Sequence, residues 1–433
     1  MSKIKGSWLL SGLALAAVMP AHATNGYFSH GYGTQNKAMA GAGVALSLDS
    51  LAPATNPAGV AFVGERTDVG VAMFAPDRNY KASGQPTGGC FQGQCTFGVG
   101  PQQIDSTARL FPIPHFGMTR ALDDESAIGI AVYGNGGMNT RYEGGSATFI
   151  TPQGGKITGA GTFGAGTTGV DLTQVFFAPT YARRFREDAA WGVTAIIAYQ
   201  QFEARGLGNF APFSSDPQHL TDNGHDQSYG GGIRIGVQGA VSDKLRLGAS
   251  YQSRIFMSEF SDYAGLFAEQ GDMDIPSSAS IGLAYTATPA MTVAFDIQYI
   301  AYSEVDSVGN PMLPGLATAR LGDDNGAGFG WDDMTIYKLG ARWQMKDGFT
   351  WMAGYSYGEQ PIPDSEVLFN ILAPGVIEQH FTLGFADKIG CHELSMAFMY
   401  APAKSVKGRN PLDPAQTIEL EMDQIELEVN FSF

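Results

Sequence analysis

Apolar and polar residues alternate along most of the chain that follows residue 66. At the C-terminus Ile425, Leu427, Val429, Phe431 and Phe433 are apolar, whereas the residues between them are polar. Successive side chains of a β-strand point to opposite faces, so this period of two predicts strands with one apolar face. Because the alternation recurs in other segments, the pattern predicts an all-β fold. These segments include 191–199, 291–299, 335–345, 349–357 and 394–400.

The connections between these segments are alternately short and long. Short turns occur at residues 123–125, 187–188, 242–244, 288–289, 346–348 and 390–392, and they alternate with longer connectors rich in Gly, Asp or Pro. Fourteen antiparallel strands are predicted, at about residues 67–75, 106–120, 127–136, 171–186, 189–205, 228–241, 244–261, 272–287, 290–307, 333–345, 349–359, 379–388, 393–405 and 416–433. An even number of strands joined in this way is typical of an outer-membrane β-barrel with short periplasmic turns and long external loops. A secreted β-sandwich would also alternate and is the alternative.

The N-terminal residues predict that the chain is exported. Lys3 and Lys5 precede an apolar run at residues 8–18, and residues 21–23 read Ala-His-Ala, the small-x-small pattern of a signal-peptidase site. Residues 1–23 are therefore predicted to be a cleaved signal peptide. Together with the strand pattern, this predicts a Gram-negative outer-membrane protein, surrounded by membrane lipid and lipopolysaccharide, with the apolar face of the last strand against lipid.

Charge and cysteine content narrow the functional classes. The chain has 26 basic and 42 acidic residues and a net charge of -16, which argues against a nucleic-acid partner. Cys90 and Cys95 flank a short segment in a Gly-rich loop and predict a disulfide in an oxidising compartment, with two free thiols as the alternative. Cys391, His392 and Glu393 have no partner cluster for a metal site, so neither a metal nor another cofactor is expected.

Residues 24–66 lack the alternation of a strand. The segment is rich in small residues, with short helical turns predicted around 37–45 and a proline-fixed turn further on. It is too apolar for a free linker, so we expect it to fold inside the barrel as a plug, or hatch; a periplasmic tail is the alternative. The predicted organisation is a signal peptide (1–23), a hatch (24–66) and a barrel (67–433). The turn is formed by Asn56, Pro57, Ala58 and Gly59.

The stretch AMAGAGVALSLDSLAPATNPAG, residues 38–59, resembles the hatch of the long-chain fatty acid outer-membrane transporter family, which includes the FadL, OmpP1 and TodX types. Further similarity extends over residues 111–137, 245–255, 275–305 and 330–367. The terminal Phe433 resembles the aromatic residue that the barrel assembly machinery recognises in such proteins.

The resemblance implies a fourteen-stranded barrel, closed by a hatch, that moves hydrophobic molecules across the outer membrane by diffusion. Long-chain fatty acids are the expected substrate. Neutral hydrocarbons and aromatics are the alternative, and a structural or adhesive surface barrel is a further one. The resemblance also implies a monomer, and no enzymatic activity is expected because no catalytic motif can be argued from the spacing.

In this family the substrate leaves sideways, through a gap made by a kink in the third strand. The corresponding strand here covers residues 127–137 and contains Gly134, Gly136 and Gly137. These residues lack the side chains that hold a strand in register, so they are the predicted kink. A glycine-rich strand end that enters a loop is the alternative.

Residues of opposite parity to the lipid-facing set are predicted to line the lumen. The candidate substrate contacts among them are the cations Arg234, Arg246, Arg254, Lys338 and Arg342. One or two of them could hold a fatty acid carboxylate, and a structural ion network between hatch and wall is the alternative. Ile418, Leu420 and Met422 give an apolar lining if the last strand is regular. A β-bulge near Asp423 would turn these three outward.

Overall fold

The computed structural model describes residues 25–91, 94–150, 154–346 and 348–433. The predicted signal peptide therefore lies outside the described residues. Fourteen antiparallel strands each pair with their neighbours in the chain, and the first pairs with the last, so the barrel is closed. The strands are β1 Arg66–Ser83, β2 Phe111–Ala121, β3 Ser126–Asn139, β4 Gly169–Arg186, β5 Ala189–Arg205, β6 Asp226–Ser242, β7 Leu245–Gln252, β8 Ser278–Thr288, β9 Met291–Ile300, β10 Met334–Gln344, β11 Thr350–Gly358, β12 Gln379–Ile389, β13 His392–Arg409 and β14 Thr417–Ser432.

The predicted closed barrel of fourteen strands is confirmed, but several predicted ends are wrong. β1 continues to Ser83 instead of ending at residue 75, because residues beyond Pro76 still pair with β14. β7 ends at Gln252 instead of 261, since the chain there turns towards Asp274, which is ion-paired with Arg254. Alternation alone therefore gives the number of strands better than their lengths.

Short elements fold within the connections and before β1. The additional strands are Cys90–Phe91, Gln94–Cys95, Phe97–Val99, Gln102–Asp105, Ser146–Ile150, Lys156–Ala160 and Phe256–Met257. The helices are α1 Thr34–Ala38, α2 Ala52–Thr55, α3 Val60–Val63, α4 Ala268–Gly271, α5 Asp306–Gly309 and α6 Met312–Thr318, and 3-10 turns occupy Pro57–Gly59, Gly208–Phe213, Pro217–His219, Ser261–Tyr263, Tyr302–Glu304, Asp364–Glu366 and Phe369–Ile371. In the described ranges no helix has the length and apolar character needed to cross a membrane.

The outer surface of the barrel is an apolar band. On β14, Ile425, Leu427, Val429 and Phe431 point outward and are between 39% and 46% exposed, while their polar neighbours are buried. Exposed aromatic residues lie near both ends of the strands, as expected where a barrel meets the two membrane interfaces. They include Trp191, Trp343 and Trp351 near the short turns and Tyr229, Tyr299 and Tyr357 near the long loops.

The two ends of the barrel differ. All the short turns lie at one end, which we call the turn end, together with the paired backbones of Thr67 and Phe433. All the long connections lie at the other end, which we call the loop end. Any pathway along the lumen therefore runs from the loop end to the turn end of the barrel.

The residues that precede β1 lie inside the barrel, and we call residues 25–64 the hatch. Most of them are buried. The Lys37 ammonium forms ion pairs with the inward-facing Glu426, at 2.9 Å, and Glu428, at 2.7 Å. On β1 the Asp68 carboxylate accepts hydrogen bonds from the Ser50 hydroxyl, at 2.5 Å, and backbone N–H, at 3.0 Å. The hatch is thus held to the wall by buried polar contacts.

Candidate functional site

One continuous apolar cluster fills the loop end and the adjoining lumen. It joins the loop residues Phe210 and Trp331 to the inward-facing β14 residues Ile418, Leu420 and Met422, which are at most 2% exposed. An apolar solute within such a cluster is kept from water, which favours it by roughly 25 cal/mol per Å² of apolar surface. The cluster is therefore suited to hydrophobic molecules.

The inward orientation of Ile418, Leu420 and Met422 follows from the regularity of β14. This strand pairs residue for residue with β1 from Ser432 to Thr417, so β14 itself has no bulge near Asp423. The irregularity is in the neighbouring β13, between Ala401 and Lys404. The parity of the last strand is therefore unbroken.

Two small cavities interrupt the cluster. One, of about 30 Å³, is lined by Phe202 of β5 and mainly by loop side chains, among them Phe210, Phe267 and Phe329. The other, of about 20 Å³, lies beside Gly137 of β3. A space of this size holds about one water molecule, whereas an empty cavity that binds benzene is roughly 150 Å³. Side chains must therefore move before a hydrocarbon can pass.

The predicted kink in β3 is a β-bulge. Gly134 pairs with Val175 of β4 and Gly136 with Gln174, so Asn135 has no backbone partner there. Such an extra residue bends the strand and weakens its pairing. The Asn135 side chain instead donates a hydrogen bond to the Gln174 side chain, at 2.9 Å.

On its other edge, β3 separates from β2. Pairing between these strands stops at Phe116 and Val132, and the remainder of β3 has no strand partner on that side in the described structure. We call this separation the lateral gap. Unpaired backbone inside a membrane is tolerated only where protein or water covers it. The hatch provides that cover.

Hatch residues 27–29 fill the lateral gap from inside. The Tyr27 carbonyl accepts a hydrogen bond from the Gly137 N–H, at 3.1 Å, and the Ser29 N–H donates to the Asn135 carbonyl, at 3.0 Å. A Cβ at Gly136 would lie 1.8 Å from the Tyr27 oxygen, so only glycine permits this approach. The glycines of β3 thus allow hatch residues 27–29 to pair with the free edge of β3.

Two of the candidate cations connect the hatch to the wall. The Arg234 guanidinium donates to the Pro53 carbonyl, at 2.9 Å, and to the Tyr133 hydroxyl, at 3.1 Å. The Lys338 ammonium donates to the His30 carbonyl, at 3.0 Å. Both also line a polar cavity of about 30 Å³ between the hatch and the wall. These contacts correspond to the structural alternative more closely than to a free carboxylate site.

Arg254 lies in a loop rather than on the lumen face of a strand. Its guanidinium is 2.6 Å from the Asp274 carboxylate and 3.3 Å from that of Asp272, and it donates to the Glu304 carbonyl at 2.6 Å. Burial and the charge of neighbouring Asp274 raise the pKa of Asp272 to about 7. Arg254 therefore holds two loop segments together.

The remaining two candidates are less constrained. The Arg246 guanidinium lies over the Phe62 ring of the hatch, 5.0 Å from its centre, which is cation–π geometry. Arg342 is partly buried on the same face of β10 as Lys338. Arg234 and Lys338 thus share one polar cavity, whereas the other three predicted cations lie elsewhere, so the five do not form one site.

Sequence reasoning missed Arg78. This residue is 4% exposed and faces the lumen from β1, where its guanidinium donates to the Asn139 carbonyl at 2.7 Å. The strand predicted from the alternation ends at about residue 75 and so does not include Arg78. Its parity with the buried Tyr80 and Ala82 is the signal that would have placed it on the lumen face.

The hatch motif connects three parts of the structure. The Asn56 side chain donates to the Val44 carbonyl, at 2.7 Å, and to the Val237 carbonyl of β6, at 3.1 Å, and accepts from the Ala58 N–H. Pro57, Ala58 and Gly59 form the 3-10 turn that follows. Gly236 allows the close approach, since a Cβ there would lie 2.0 Å from the Asn56 oxygen.

The cysteines line neither of the two cavities in the apolar cluster. Cys90 and Cys95 are joined by a disulfide across two short paired strands in the first long loop. Cys391 is an exposed thiol in a short turn. In the described part of the chain no group of three or more His, Cys, Asp or Glu side chains could hold a metal ion.

A closed barrel with an apolar outer band, an internal hatch and an apolar lumen defines an outer-membrane channel for hydrophobic solutes. Residues 12–386 match the family described as outer membrane protein transport protein (OMPP1/FadL/TodX), and the chain belongs to this family. Its members are transport channels of the Gram-negative outer membrane, not enzymes. The resemblance found in the sequence is thereby confirmed.

Solved structures share the fold at low sequence identity. The toluene transporter TodX of Pseudomonas putida has a TM-score of 0.64 at 15% identity, covering 94% of this chain and 99% of its own. A FadL homologue of Pseudomonas aeruginosa has a TM-score of 0.64 at 14% identity, covering 94% of this chain and 99% of its own. The Ralstonia pickettii toluene transporter TbuX has a TM-score of 0.61 at 14% identity, covering 93% of this chain and 98% of its own. No curated protein sequence matches this chain.

Proposed function

We propose that this protein is a passive channel for long-chain fatty acids, which it releases sideways into the membrane through the lateral gap. The observation that carries the proposal is the position of this gap, between β2 and β3, beside the continuous apolar cluster. A solute would enter among the loops, move through the cluster and displace hatch residues 27–29. It would then leave between the two strands without crossing the turn end.

Lateral release suits an apolar solute energetically. Leaving at the turn end would return its surface to water, whereas leaving through the gap transfers it to the hydrocarbon of the bilayer. The closure by residues 27–29 has few backbone hydrogen bonds to β3, so it can open more easily than a paired strand. Small successive cavities also fit multi-site, weak binding, which a channel needs for release.

Uptake of neutral aromatic hydrocarbons is the second candidate. Five phenylalanines line the larger apolar cavity, and an aromatic solute could pack edge to face against such rings. Two of the similar structures are named as toluene transporters. A structural or adhesive barrel is favoured less, because it would not need a gap with a separate closure.

The test is uptake of labelled oleate and labelled toluene, side by side, by cells that lack their own transporter and express this chain. The matched variant replaces Asn56 and Pro57 by alanine, which removes the hydrogen bonds from the hatch motif to Val44 and Val237. Oleate uptake that the variant alters supports the fatty acid proposal. Uptake of toluene alone supports the second candidate, and uptake of neither compound by an inserted barrel contradicts both.

We also propose that residues 1–23 are cleaved on export, that Phe433 takes part in recognition by the barrel assembly machinery, and that the protein is a monomer among lipid and lipopolysaccharide. Cleavage after Ala23 would place the first described residue, the buried Asn25, next to the new N-terminus. Intact-mass measurement of the protein from outer membranes tests the cleavage site. A mass that retains these residues would contradict it.

A further inference from the structure

Arg78 is a buried cation with a single hydrogen bond at one rim of the lateral gap. A guanidinium has five N–H donors, and in the described structure only one Arg78 nitrogen has a partner, the Asn139 carbonyl. No carboxylate in the described part of the chain pairs with it. A buried charge without a counter-charge is costly, so its retention calls for a partner that the chain itself does not provide.

Arg78 lies beside residues of the apolar cluster and beside the end of β3. Arg78 lines the cavity of about 20 Å³ together with Gly137 of β3, Met422 of β14, Trp331 and Gly26. Met422 and Trp331 belong to the apolar cluster, and the β3 residues 137–139 follow the bulge. A charged head placed here would have its apolar tail in the cluster.

The carboxylates of Asp77, Asp105 and Asp171 have other partners. Asp77, which precedes Arg78, and Asp105 both lie near Arg109 on the outer face, at 3.4 and 3.5 Å from its guanidinium. Asp171 accepts a hydrogen bond from the Asn139 side chain and lies 3.2 Å from His225. The positive charge of Arg78 is therefore left for a ligand.

We propose that Arg78 binds the carboxylate of an amphiphilic substrate at the entrance to the lateral gap. This inference rests on the proposed function, because it assumes that the substrate passes the gap, and it narrows the substrate class to long-chain carboxylates. Arginine suits the role because its planar fork matches a carboxylate with two parallel hydrogen bonds and stays charged. A carboxylate needs more than about 20 Å³, so the cavity must widen, by movement of Gly26 or of the loop at 373–375.

The alternative is that Arg78 only ties β1 to the end of β3 through Asn139. That role would affect all substrates equally, whereas a carboxylate site separates acids from neutral compounds of the same chain length. The two roles therefore differ in head-group preference, which can be measured by binding to the purified full-length protein in detergent.

The experiment compares decanoate with decan-1-ol at about pH 8, where the acid is ionised. We expect the wild type to bind decanoate at least about tenfold more tightly, equal to about 1.4 kcal/mol. Arg78→Gln should reduce the ratio to about one, and Arg78→Lys should keep part of it because the charge remains. Lys81→Gln, which removes an exposed charge from the same strand, should change nothing.

A second measurement does not depend on folding of the variant. At about pH 3.5 the ligand is protonated, and the wild type should lose its preference for the acid. An unchanged preference in folded Arg78→Gln, or equal weakening of both ligands, would overturn the inference. Uptake by the wild type separately tests the proposed function, so a failure of transport and a failure of carboxylate binding at Arg78 give different results.

Discussion

Replacing Lys37 by methionine should detach the hatch from the barrel wall. The side chains of Lys37, Glu426 and Glu428 are 7%, 3% and 1% exposed, and the ammonium is within 2.9 Å of both carboxylates. Removing one partner of a buried ion pair costs about 3–5 kcal/mol because the remaining charges are uncompensated. At 1.4 kcal/mol for each factor of ten, the equilibrium constant for hatch release should rise by about a hundredfold or more relative to the wild type.

The assay is hydrogen exchange of the amides in residues 25–64, with leakage of a small polar solute from liposomes as the functional measurement. The variant should exchange faster and leak, while the barrel strands keep their protection. A triple variant, Lys37→Met with Glu426→Gln and Glu428→Gln, removes all three charges and should restore much of the protection. Exchange of the hatch within about twofold of wild type in Lys37→Met would refute the reasoning, since a loss of 3–5 kcal/mol is far larger.

Three further predictions concern the loops, the gap and the cluster. Because the pKa of Asp272 is raised from 3.8 to about 7, the folded loops bind this proton more tightly than the unfolded chain, so raising the pH from about 4 through 7 should destabilise the loop end. Limited proteolysis across this range measures it, and Asp272→Asn should remove the dependence. Gly136→Val should force the Tyr27 carbonyl away and increase exchange at Tyr27, Phe28 and Ser29, whereas unchanged exchange would contradict the close contact. Leu420→Asp should lower uptake by about tenfold or more in a barrel that still inserts, because it places a charge in the apolar cluster.

The sequence predicts those features that depend on the period of two. The inward orientation of Ile418, Leu420 and Met422 could be obtained from the parity of β14 alone, because no bulge interrupts this strand. Arg234 and Lys338 were placed inward for the same reason, and both are buried. Parity cannot give the hydrogen-bond partner of an inward side chain. For both Arg234 and Lys338 that partner is a backbone carbonyl of the hatch.

Features that depend on pairing between strands could not be predicted in this way. The glycines of β3 pointed to a kink, but the loss of pairing with β2 after Val132 has no signal in the alternation of either strand. Arg254 was placed on a strand because its neighbours alternate, although ion pairs with Asp272 and Asp274 draw it into the loops. Arg78 lies outside the strand predicted at about residues 67–75, whereas pairing with β14 continues to Ser83.

Deletion of Asn135 tests the central claim most directly. Removing the bulged residue lets β3 pair regularly with β4 and should draw its free edge towards β2, which closes the lateral gap. The control is Asn135→Ser, which keeps the extra residue and the bulge. The account predicts that the deletion abolishes uptake of the transported compound in a folded, membrane-inserted barrel, while Asn135→Ser retains it. Uptake by the folded deletion variant at the wild-type rate would contradict lateral release.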